Sequence, residues 1–145
     1  MTFERWCQWL LYASIFFVVF GVLTAIAPDF WLIGAWSAKV DAIFFPVRVH
    51  PNASAMRAFM MVPLGATIAG TYILQCFVVA IPFRKREPWA WHAILWSTLA
   101  WFALDSGLSL FHGVAFNVYT VNIAPLIVFG IPLVATRSMA KGGNP

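Results

Sequence analysis

Residues 6–27 read WCQWLLYASIFFVVFGVLTAIA, an unbroken apolar run that decides the class of fold. A helix of about 20 such residues crosses the hydrocarbon core of a bilayer, whereas the apolar part of a secretory signal is usually half that length. The run is therefore expected to be retained. Ala25-Ile26-Ala27 resembles a cleavage site, but Pro28 places a rigid imide at the bond to be cut. Three more apolar runs follow: about Ala58 to Ile81, Trp89 to Phe111 after the Glu87-Pro88 start signal, and about Val118 to Ala135. None alternates, and a lipid-spanning sheet would have to close into a barrel of at least about eight strands. The expected fold is all-α: a polytopic membrane protein, a four-transmembrane-helix bundle forming one membrane domain over residues 1–145. Its spans are placed at about 6–27, 58–81, 89–111 and 118–135.

Composition agrees. Of 145 residues, 62% are hydrophobic and only 10% charged, with a net charge of +4 and a mean hydropathy of +0.83. Nine basic and five acidic residues cannot cover the surface of a water-soluble domain. The basic residues stand at the ends of apolar runs and form no long stripe, which argues against a nucleic-acid partner. With four spans, both termini and the link between spans two and three share a side. That side collects Arg5, Arg84, Lys85, Arg86, Arg137 and Lys141, against Lys39, Arg48 and Arg57 on the other. The excess predicts cytoplasmic N- and C-termini, with Trp89 and Trp91 as interfacial anchors.

The connection from Pro28 to Met56 is too apolar for a free loop. With Lys39 and Asp41 marking a wet face, a short interfacial helix is expected between spans one and two, the alternative being a loop packed over the bundle mouth. Prolines 63, 125 and 132 fall inside spans, where each removes a backbone donor. In lipid, helices associate through close packing and interhelical hydrogen bonds. The small pairs Gly65/Ala69 and Ala66/Gly70, flanked by Thr67 and Thr71, are therefore expected to meet another helix, more simply within the chain than in a homo-oligomer.

Asp105 is the most informative residue, because a carboxylate inside a span costs about 2.5–3.5 kcal/mol on insertion scales unless it is paired, protonated or hydrated. Thr98, Phe102, Asp105, Ser109 and His112 follow helical spacing, so span three carries a polar stripe that is expected to face inward. Arg57 starts span two near the level of Asp105, and an Arg57–Asp105 ion pair is expected. Asn117 is expected to cap span four, with Asn122 deeper in it. Two readings of the polar cluster Arg57, Asp105, Ser109, His112, Asn117 and Asn122 follow. In one it only fixes helix register. In the other it orients the head of a small ligand between aromatic walls from Trp96, Trp101 and Phe102, and a lipid, a quinone or another amphiphile would suit such a pocket.

His50, His92 and His112 are too dispersed for one metal site, and Met56, Met60 and Met61 at helical spacing are better read as packing than as copper ligands. Cys7 and Cys76 read as free thiols in apolar surroundings, and no cofactor is expected.

Glu87-Pro88-Trp89-Ala90-Trp91 opening span three, Asp105-Ser106 late in it and Asn117 opening span four give a pattern that resembles small, uncharacterised bacterial four-helix membrane proteins. The resemblance runs from about Gly65 onward. It implies a bacterial inner membrane and the same topology, and carries no reaction and no catalytic residue with it. The expected function is non-enzymatic: binding an amphiphile in an outward-facing polar pocket, or serving as an accessory subunit of a membrane complex. The alternative is a membrane-embedded isomerase in which Asp105, aided by His112, transfers protons.

Overall fold

A computed structural model describes residues 1–141, and of Ala140 and Lys141 the backbone only, so the Lys141 side chain in the charge count lies outside it. Among the described residues six α-helices form: α1 (Phe3–Ile26), α2 (Trp31–Phe44), α3 (Pro51–Val78), α4 (Pro88–Phe111), α5 (Ala115–Asn117) and α6 (Ile123–Ala135). A π-helical turn, Val79–Phe83, extends α3, and another, Val118–Asn122, joins α5 to α6. Four continuous stretches are long and apolar enough to cross a membrane: Phe3–Ile26, Pro51–Phe83, Pro88–Phe111 and Ala115–Ala135. The protein is an all-α membrane helical bundle.

The second stretch is longer than expected. It begins at Pro51, which needs no backbone N–H at a first helical position. His50 receives the next free amides: its Nδ1 accepts from Asn52 N–H at 3.2 Å and its carbonyl from Ala53 N–H at 2.9 Å. Between the first two spans the chain is helical from Trp31 to Phe44, the helix expected from the wet face of Lys39 and Asp41 and not the packed loop.

The chain divides into two compact units, one made of Met1–Ile15 with the chain from Leu74 onward, the other of Phe16–Ile73. In the second unit, α1 and α3 pack backbone to backbone. A Cβ on Gly21 would stand 2.6 Å from Ala69 N, and one on Gly65 2.5 Å from Ala25 N. Gly65 and Ala69 are buried while Ala66 and Gly70 are exposed, and Gly70 has open space around it. Within this unit, among the described residues, Gly65/Ala69 is the pair that packs on α1, because α1 covers a single stripe of α3. Tyr72 stacks on Phe17 beside this contact, with ring centroids 4.7 Å apart.

The first unit is organised by carbonyls that prolines and helix ends leave open. Pro132 cannot donate to the Val128 carbonyl one turn earlier. The Trp9 indole donates to that oxygen instead, at 2.9 Å. At the end of α6, Leu133 O accepts from the Trp91 indole at 2.9 Å and Pro132 O from the Thr136 hydroxyl at 2.8 Å. Ser14 and Gln75 form a further buried link, Gln75 Nε2 donating to Ser14 Oγ at 3.1 Å. Leu10, Phe83, Ile94, Phe129 and Leu133 fill the core around these bonds.

Two helix ends in this unit close alike. After α4, Gly113 (φ 75°) sits in the left-handed region, Gly113 N–H donates to Leu110 O at 3.0 Å and Val114 N–H to Ser109 O at 2.8 Å. After the π turn at Phe83, Arg86 (φ 62°) takes the glycine's place, with Arg86 N–H on Phe83 O at 2.9 Å and Glu87 N–H on Pro82 O at 3.0 Å. Both are Schellman closures, and glycine is the usual residue at the left-handed position.

Two outcomes are expected from thermal melts in detergent. Gly65→Ala lowers stability by about 1–3 kcal/mol because backbone must move, whereas Gly70→Ala is neutral or gains up to about 1 kcal/mol; equal losses would count against the α1–α3 contact. Trp9→Phe costs about 1–3 kcal/mol by leaving the Val128 carbonyl open, and the cost shrinks once Pro132→Ala restores a backbone donor at that position.

Candidate functional site

In the first unit, α4 presents Asp105, Ser106 and Ser109, and the Gly113 turn sends the chain back so that Asn117 and Asn122 meet them. Asp105 is half-buried, and its Oδ1 accepts from Ser109 Oγ at 3.3 Å and from Asn117 Nδ2 at 3.4 Å. Asn117 Nδ2 also donates to Ser109 Oγ at 2.9 Å. One turn deeper, Asn122 Nδ2 donates to Ser106 Oγ at 3.1 Å, both residues being buried. Asn122 Oδ1 is buried and has no donor among the described residues.

Three of the six residues expected to form the polar cluster, Asp105, Ser109 and Asn117, thus come together, while Asn122 bonds to Ser106 in a separate pair. Asn117 is not a cap: the helical turn already begins at Ala115, Val114 occupies the cap position, and the Asn117 amide turns to Asp105 and Ser109 instead. His112 follows the end of α4, is exposed, and sets its ring edge-on against Phe111 with centroids 5.1 Å apart. Trp96 and Trp101 are exposed and Phe102 is half-buried. Nine residues at about 100° each put Trp96 on the side of α4 opposite Asp105, which suits a lipid-facing position better than an inner wall.

The sixth residue belongs to the second unit. Arg57 pairs with Asp41, their side chains 25% and 18% exposed. Where the sequence leads to an Arg57–Asp105 ion pair, the guanidinium meets Asp41: α2 forms a full helix and brings that carboxylate to it within the unit. Beside the pair lies a cavity of about 330 Å³ whose wall includes Asp29, Ser37, Ser54, Arg57, Ala58 and Met61. Ser37 and Met61 are buried, whereas Met56 and Met60 are exposed and do not join them. Asp29 forms no ion pair among the described residues. The cavity therefore combines a guanidinium, the Asp29 carboxylate, two hydroxyls and apolar side chains. Among the described residues no group of three His, Cys, Asp or Glu side chains stands close enough to hold a metal ion.

Sequence reasoning missed Asp41, which carries a near-surface pattern, and the indoles of Trp9 and Trp91. The signal for Trp9 lies in Pro132, which announces an open carbonyl four residues before it.

No protein-family model, curated protein or solved structure matches this chain. The resemblance to small bacterial four-helix membrane proteins thus rests on the short motifs alone.

A double-mutant cycle reads the ion pair. Arg57→Leu and Asp41→Leu are expected to couple by about 1–2 kcal/mol in thermal melts, since the pair is largely shielded from water. Arg57→Leu with Asp105→Leu should add within about 0.5 kcal/mol; coupling there instead would restore the discarded pair.

Proposed function

We propose that the protein is a non-enzymatic integral membrane bundle that binds a small amphiphile, with the polar head held in the cavity beside Arg57. One observation carries the reading: a paired guanidinium lines an open cavity of about 330 Å³ together with the uncommitted carboxylate of Asp29, while Met61 and Ala58 continue the wall in apolar atoms. That volume takes the headgroup or ring of a lipid, a quinone or another amphiphile, and polar groups of both signs orient it. Arginine brings five N–H donors, more than one carboxylate uses. The lysine and arginine bias supports a cytoplasmic Arg84-Lys85-Arg86 link, and the resemblance to small bacterial membrane proteins supports a bacterial inner membrane; with an odd number of crossings between them, the loop carrying this cavity is read as outward-facing.

A second reading, an accessory subunit of a membrane complex or a homo-oligomer, draws on the exposed pair Ala66/Gly70, small residues with open space at Gly70. The proton-transfer role for Asp105 has less support. Its carboxylate accepts from Ser109 and Asn117, and of the other acids Glu4 is engaged by Arg84, Glu87 by Trp89 and Asp41 by Arg57.

Mass spectrometry after gentle extraction tests the reading. A small amphiphile is expected to co-purify with the wild-type chain and to be lost from Ala58→Phe, which fills the cavity, while the variant keeps its melting behaviour. Recovery of bulk phospholipid alone, in equal amount from both proteins, would leave the cavity without a ligand and end the proposal. Recovery of partner chains would favour the subunit.

A further inference from the structure

The other end of the first unit holds a different cavity, of about 170 Å³, where the start of α1, the turn after Phe83 and the end of α6 meet. Phe3, Trp6, Arg86, Thr136, Ser138 and Met139 line it. The Arg86 guanidinium lies over the Phe3 ring, 4.5 Å from its centroid, and Phe3 is stacked in turn on Phe83 at 5.8 Å and 8°. A guanidinium held by its face keeps its N–H fork in the plane and available to an anion.

The neighbouring acids do not use that fork. Glu4 accepts from Arg84 at 2.6 Å, and Glu87 accepts from the Trp89 indole at 2.5 Å. Among the described residues Arg86 has no ion pair, and Arg5, Lys85 and Arg137 add to the positive field of the same end. The backbone makes the arginine more conspicuous. Arg86 holds the left-handed position of a Schellman closure that Gly113 fills without strain at the end of α4. A non-glycine residue there is disfavoured, and such positions persist where the side chain has a task.

We propose that this cavity is a phosphate site for an anionic phospholipid: the Arg86 fork takes the phosphodiester, with the Ser138 hydroxyl beside it, and Trp6 and Met139 receive the start of the glycerol and acyl portion. The cation supplies charge-assisted bonds to the oxyanion. The apolar half of the wall and its position at the span ends, at headgroup level, select a lipid over a free phosphate. This site is independent of the cavity beside Arg57.

The test uses the full chain in nanodiscs of phosphatidylcholine doped with phosphatidylglycerol, with bound lipid counted by native mass spectrometry. Arg86→Gly is the decisive variant, since it removes the guanidinium and relaxes the left-handed backbone. It is expected to melt no lower than wild type while retaining about tenfold less phosphatidylglycerol, the size of one lost charge-assisted interaction. Lys85→Gln and Arg137→Gln, which remove the same charge from outside the cavity, should each change retention less than about threefold. Equal losses from all three variants would show a diffuse field and overturn the site. Complete displacement of the lipid by sn-glycerol 3-phosphate would assign the cavity to a free phosphate and overturn the lipid. On the wild-type chain, a photoactivatable phosphatidylglycerol headgroup should label residues 1–6 and 135–139; label spread evenly along the chain would refute the proposal without any variant.

Discussion

No water reaches the hydrocarbon core to complete a hydrogen bond, so each backbone group that a helix leaves open must find a donor or acceptor in the protein. Pro132 opens the Val128 carbonyl, and the Trp9 indole closes it from another span. The end of α6 would expose further carbonyls; Trp91 closes that of Leu133, and the Thr136 hydroxyl adds a second donor to Pro132 O beside the Thr136 N–H. Tryptophan suits this task because one flat apolar body carries one donor at its edge. In a chain with so few polar side chains, these bonds give the first unit its register. Apolar contact alone, which lipid offers equally well, gives none.

The charges obey the same economy. Arg57 and Asp41 meet within one unit, and Asp105 accepts from a serine one turn along its own helix and an asparagine just past the following turn. These two groups are served by residues close in sequence, whereas Arg84 reaches Glu4 across 80 residues. Short connections produce this outcome, since helices that follow one another lie side by side and the Gly113 turn returns Asn117 to the level of Ser109. The Asp105 bonds at 3.3 and 3.4 Å are long, and the 2.9 Å bond between Asn117 and Ser109 is the firmer tie.

The architecture was legible because hydropathy over about 20 residues reports a property of the solvent that no tertiary detail overrides. The start of α4 at Glu87-Pro88 was equally legible, proline at a first helical position being a local signal. Pairings were legible only in part. Helical spacing and depth along the spans group Asp105, Ser109 and Asn117, but they point Arg57 to Asp105 where the structure has Asp41, because depth says nothing about which neighbour stands beside it. In the sequence Asp41 reads as a wet-face residue, and only the helical path of α2 turns it toward Arg57 on α3. Of the two small pairs on α3, spacing alone could not choose Gly65/Ala69 over Ala66/Gly70, since both satisfy the same four-residue rule and the choice belongs to the face of α1.

The bond from Trp9 to Val128 ties α1 to α6 across 119 residues of chain. During synthesis the α1 indole is therefore made well before its acceptor, and α6 then brings a proline-opened oxygen that this indole closes. A nascent chain halted before α6 holds an indole whose acceptor is still unmade.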